Sequence, residues 1–105
     1  MANVINAQDF AKNVKENKGV AVIDFFATWC GPCNMLGPVF AETAEENKDE
    51  AFFAKVDIDQ SMELAQEFGV NTVPTVIFFK DGKEVNREIG FMPKEKIVAG
   101  LNAAK

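Results

Sequence analysis

The sequence contains no histidine and no tyrosine, a single tryptophan and only two cysteines. Each scarcity removes chemistry. Without histidine there is no Cys-His or Ser-His pair to activate a nucleophile. Most tetrahedral zinc geometries go as well, since they draw on four Cys or His ligands. A zinc ribbon needs a second Cys-x-x-Cys, and the c-type haem signature needs histidine where Asn34 follows Cys33. Only a site shared between two chains would remain, so no metal is expected. Like charges form no runs: 11 basic and 16 acidic residues are interspersed, for a net charge of −5. The basic footprint that nucleic acid or an anionic membrane surface requires is therefore missing, and neither partner is expected. No apolar run approaches the ~20 residues of a membrane span. The opening MANVINAQDF has no basic region leading into an apolar one, so no secretory signal is read there.

What is present suits one compact domain over residues 1–105. Apolar residues make up 48% of the chain, ten of them phenylalanine, enough for a real core. Both cysteines fall in Ala27-Thr28-Trp29-Cys30-Gly31-Pro32-Cys33-Asn34-Met35-Leu36, beside the only tryptophan. A staple, half a metal site and a redox centre are the candidates. Cysteines this close enclose too small a loop to staple a fold. The pair is therefore expected to do chemistry in a cytoplasmic protein.

The periodicity divides the chain into alternating elements. Val4-Ile5 reads as a short strand, and Asn6 can cap a helix over Ala7 to Asn17, broken by Gly19. Val20 to Ala27 is nearly continuously apolar, as in a strand covered on both faces. A helical stripe then runs from Cys33 to Asn47, with a kink expected at Pro38. Ala51 to Asp57 reads as a strand, and Asp59 as the cap of a helix running to Phe68 and stopped by Gly69. Thr75 to Lys80 and Glu84 to Ile89 flank Asp81-Gly82, a two-residue hairpin signal. A last helix is expected from Pro93, at its first position, to the end. The order β-α-β-α-β-α-β-β-α implies an α/β fold with a mixed sheet, parallel early and antiparallel late.

The chain resembles the thioredoxin family. The residues that carry the resemblance are Asp24-Phe25-Phe26-Ala27-Thr28-Trp29-Cys30-Gly31-Pro32-Cys33, then Pro38, Lys55, Asp59, Val73-Pro74-Thr75, Gly82 and Gly90. They span nearly the whole chain. Cys-x-x-Cys alone is weak evidence, whereas Trp-Cys-Gly-Pro-Cys with a distant Val-Pro-Thr is highly specific. The resemblance implies the thioredoxin fold, a central mixed sheet of about five strands flanked by about four helices. It implies a protein-disulfide reductase that holds no cofactor, is re-reduced by a thioredoxin reductase and acts on disulfide-containing client proteins. A monomer is expected. An oxidase or isomerase on the same fold is the nearer rival, and a binding module with incidental redox chemistry the other.

Physical reasoning assigns the roles within that resemblance. Cys30 falls between a strand and a helix, where unpaired N–H groups and the positive end of the helix dipole favour its thiolate. Cys33, one turn on, is the resolving thiol that completes the exchange. Trp29, Gly31 and Pro32 form the rim. Asp24 interrupts an apolar run, and burial should raise its pKa and suit it to accept a proton. The matching family residue deprotonates the second cysteine, with Lys55 nearby to tune it. Val73 is forced extended by Pro74. The family's matching proline is cis and packs against the disulfide, leaving the residue before it to pair with an extended substrate segment. Gly90 would leave room for that segment, with Phe91 and Met92 expected to be exposed beside the same groove. Three departures stand out: Asn34 where the family often has a cation, Phe91 where it often has a smaller residue, and Phe26 where it often has tryptophan.

Overall fold

The computed structural model describes residues 2–105. Strand β1 (Asn3–Val4) leads to helix α1 (Ala7–Phe10), which Asn6 caps by accepting the N–H of Asp9 at 2.8 Å. The helix then widens into a π-helical turn over Ala11–Lys15, where the N–H of Glu16 reaches back five residues to Ala11. Strand β2 (Val20–Phe26), helix α2 (Gly31–Glu46), strand β3 (Phe52–Asp57) and helix α3 (Met62–Glu67) follow. Strands β4 (Thr75–Lys80) and β5 (Lys83–Ile89) precede helix α4 (Lys94–Ala104). The sheet order is β1-β3-β2-β4-β5, with β1, β3 and β2 parallel and the last two pairings antiparallel.

The continuous apolar runs become central strands because β2 and β4 bury both faces. Val20 and Val22 point with Phe78 toward α2 and α4, while Ile23 and Phe25 point with Ile77 and Phe79 toward α1 and α3. The phenylalanine content is spent largely here. Phe10, Phe68 and Phe79 form a triangle with ring centroids 5.3–5.6 Å apart. Such tilted and edge contacts favour one arrangement beyond simple burial.

Several element ends differ from expectation. The second helix begins at Gly31 rather than Cys33, with Cys30 as its cap, and Pro38 lies inside it without ending it. Ser61, not Asp59, stands at the start of α3, and Pro93 sits one position outside α4. At Asp81 and Gly82 both φ angles are positive, 51° and 84°, as the expected hairpin turn requires.

Helix α4 sits close on the sheet because of Gly100. A methyl there would lie 2.3 Å from the Phe78 ring. Gly100→Ala should therefore destabilise the protein by roughly 1–3 kcal/mol despite alanine's better helix propensity. Urea unfolding checks this, with Gly31→Ala as the comparison, since nothing lies within 4 Å of a methyl at Gly31.

Candidate functional site

Beyond Phe26 the chain leaves the sheet and turns into α2. Cys30 is extended, with φ −94° and ψ 117°, and caps the helix. Its sulfur does what a serine or aspartate oxygen does at other helix starts, accepting the N–H of Cys33 at 3.2 Å. Pro32 follows in the first turn, where a missing N–H costs nothing. Cys30 and Cys33 are joined as a disulfide, with Cα atoms 5.2 Å apart. Both are nearly buried, and Cys33 is the deeper at 3% exposure against 6%. They pack with Ala27 and against Phe26, Ile58 and Val73. A helix of 16 residues directs its positive end at Cys30.

A second backbone segment completes the surface. The Val73-Pro74 peptide is cis, and the Val73 carbonyl oxygen lies 3.6 Å from the Cys30 sulfur. Pro74 is buried, and its carbonyl accepts the N–H of Gly90 at 2.8 Å. Gly90 has φ +93°, a region that favours glycine, and nothing lies within 4 Å of where its side chain would be. Phe91 follows, half exposed, but Met92, expected to be exposed beside it, is buried in the core cluster with Phe78 and Ile97. Trp29 is 69% exposed, yet it is held in place, because its Nε1 donates to a carboxylate oxygen of Asp59 at 2.8 Å. Two surface cavities, of about 530 and 250 Å³, are lined by other residues.

Asp24 and Lys55 are paired in register on β2 and β3, on the sheet face that packs toward α2. Asp24 is fully buried, and neither carboxylate oxygen has a hydrogen-bond partner. Burial pushes its pKa up to about 7, against a smaller downward pull from the Lys55 ammonium. That ammonium lies 4.3 Å from the centroid of the Phe26 ring.

The structure brings Val73 against Cys30 and bonds Gly90 to Pro74, with Trp29, Gly31, Pro32 and Phe91 beside these along the chain, while Asp24 and Lys55 pair with each other on β2 and β3. Sequence reasoning missed the Asp59–Trp29 bond, which spans thirty positions and has no local signal. It also missed the placement of the Phe26 ring under Lys55. An aromatic two residues beyond a buried acid on one strand face was the available hint.

The raised Asp24 pKa has a stability consequence. Between the ordinary carboxylate range and pH 7 the folded state holds a proton that the unfolded state has lost, so stability falls as pH rises through that window. The shift from 3.8 to about 7 corresponds to about 4 kcal/mol. Asp24→Asn should therefore be more stable than the natural protein at pH 8 by up to that amount, with the gap closing near pH 4. Urea unfolding of the oxidised proteins at both pH values checks it. An equal gap at both would mean that the carboxyl group ionises as readily in the fold as in the unfolded chain.

Comparison with known proteins agrees with the site. The thioredoxin family model matches residues 1–103. A thioredoxin of Mycoplasmoides gallisepticum is 45% identical over 97 residues, which cover 92% of this chain and 95% of that protein. One of Bacillus subtilis is 38% identical over 99 residues, covering 94% of this chain and 95% of that one. Among solved structures, Fasciola hepatica thioredoxin superposes with a TM-score of 0.89 at 42% identity, covering all of both chains. Malassezia sympodialis thioredoxin gives 0.89 at 38% identity, over 99% of this chain and 90% of that one. With a paired Cys30 and Cys33 at the head of its second helix, the chain belongs to the thioredoxin family and is a protein-disulfide reductase.

Proposed function

We propose that one 1–105 domain, working as a monomer in the cytoplasm, carries two electrons to disulfides in client proteins. The Cys30 thiolate attacks one sulfur of the client disulfide, and the client's other sulfur leaves as a thiolate. A mixed disulfide joins Cys30 to the client. The Asp24 carboxylate takes the proton of Cys33. The Cys33 thiolate then attacks the Cys30 sulfur, the client's second thiolate departs, and the Cys30–Cys33 disulfide closes. The client is reduced and the chain oxidised by the same two electrons. A thioredoxin reductase returns them.

The observation that supports this most directly is the bond from the Cys33 N–H to the Cys30 sulfur. It favours negative charge on the attacking atom and holds the resolving cysteine one turn away. A carboxyl that titrates near 7 is matched to proton transfer at neutral pH. For the client, the Val73 backbone supplies a strand-like edge beside the sulfur. Trp29, Gly31, Pro32, Pro74, Gly90 and Phe91 supply the apolar surroundings, while Lys55 tunes Asp24 from below. Among the described residues no helix is long and apolar enough to cross a membrane.

Single substitutions divide the two sulfur roles. Cys30→Ser should reduce activity on a disulfide protein to background and trap nothing. Cys33→Ser should accumulate a covalent adduct with the client, visible on a non-reducing gel and released by excess thiol. An adduct with Cys30→Ser and none with Cys33→Ser would reverse the assignment.

A further inference from the structure

The Lys55 ammonium and the Asp24 carboxylate are neighbours that do not bond. Their residues are directly opposed on β2 and β3, and their side chains share the face under α2. Yet both Asp24 oxygens lack a hydrogen-bond partner, so the ammonium does not rest on them. It lies instead over the Phe26 ring, 4.3 Å from the centroid, on the same face of β2 two residues beyond Asp24. From above, helix α2 presents Gly37, where a methyl would come 4.0 Å from the ammonium nitrogen. The charge is thus held in a slot walled by an aromatic face below and a bare stretch of helix above.

A lysine with a flexible stem ordinarily carries its ammonium out to water. An aromatic face competes with water when the site is partly desolvated, as it is here, since Lys55 is half-buried. We propose that Phe26 is a positioning residue, whose ring keeps the Lys55 ammonium beside the Asp24 carboxylate but off it, and so sets the proton affinity of that group. A direct ion pair would hold the carboxylate ionised and make it a poor base. An ammonium lost to water would leave burial unopposed and keep the carboxyl protonated at neutral pH. The ring keeps the arrangement between these extremes.

The other groups around Asp24 leave little else to do this. On the same face of β3 stands Asp57, but its carboxylate accepts the N–H groups of Asp59 and Gln60 and serves the turn. The buried stripe of α2 offers no free titratable group, because Cys33 is held in the disulfide. Strand β4 contributes Val76, opposite Asp24, and α4 contributes Ile97 and Leu101. Without the ring, water and the Asp57 carboxylate are the better partners for the ammonium, and both draw it away from Asp24.

The inference rests on Asp24 serving as the proton acceptor for Cys33, and the test separates the two ideas. The Asp24 titration is followed by carboxyl carbon NMR in the oxidised protein, independently of activity. In Phe26→Leu the midpoint should rise by roughly one unit, a tenfold gain in proton affinity. Phe26→Trp, which keeps an aromatic face, should restore it to the natural value or below. In a Lys55→Met background Phe26→Leu should add no further shift, because the ring acts only through the ammonium. A midpoint unmoved or lowered in Phe26→Leu overturns the proposal, as does an equal shift in the Lys55→Met background. If Phe26→Leu fails to fold, a rise in Phe26→Trp overturns it alone. The pH profile of mixed-disulfide resolution is then compared with these midpoints. Should the midpoints move as expected while the profile stays still, Phe26 keeps its role and Asp24 loses its part in catalysis.

Discussion

The N–H of Cys33 donates to the sulfur of Cys30 across the first turn of α2, and most of the site follows from that contact. A helix start leaves backbone donors without partners. Here one of them is met by a sulfur instead of an oxygen, so the capping atom is also the reactive one. The 16-residue helix adds its dipole in the same direction. The bond also fixes where the second cysteine stands, one turn on, with Cα atoms 5.2 Å apart. The disulfide is therefore contained within the first turn of one helix and its cap.

The sheet that delivers this junction is largely apolar on both faces of its central strands, and that makes Asp24, the deeper of its two buried carboxylates, conspicuous. Asp24 has no hydrogen-bond partner and no water-facing surface. A purely structural residue at this place would be apolar, because an unsatisfied carboxyl costs stability. The fold tolerates it with the Lys55 ammonium opposite, held over the Phe26 ring. Beside the cysteines, Trp29 is largely exposed and Phe91, which follows Gly90, half exposed.

Much of this was legible in the residues themselves. The apolar runs from Val20 and Thr75 became β2 and β4 within a residue of their expected ends, because a strand buried on both faces has no polar alternation to blur it. Asp81-Gly82 read correctly because only a few residues accept two positive φ angles in succession. The start of α2 was misplaced because its apolar stripe begins after the cysteines, and cysteine is not among the usual caps. Asp59 reads as a cap by type and position, but its carboxylate is taken by Trp29, a partner thirty residues away. The widening of the first helix at Ala11 has no composition signal at all.

Local chemistry thus determined the reactive pair, the strand-to-helix switch at Cys30 and the presence of an acid in an apolar strand. These depend on near neighbours, and near neighbours are written side by side. The tertiary structure decided how deep Asp24 lies, that Lys55 stands opposite it without bonding, that Val73 meets the Cys30 sulfur and that Gly90 closes on Pro74. The contacts among these join segments well separated along the chain. Such contacts arise from strand order and register, which the packing of the whole sheet sets and no single stretch of sequence carries.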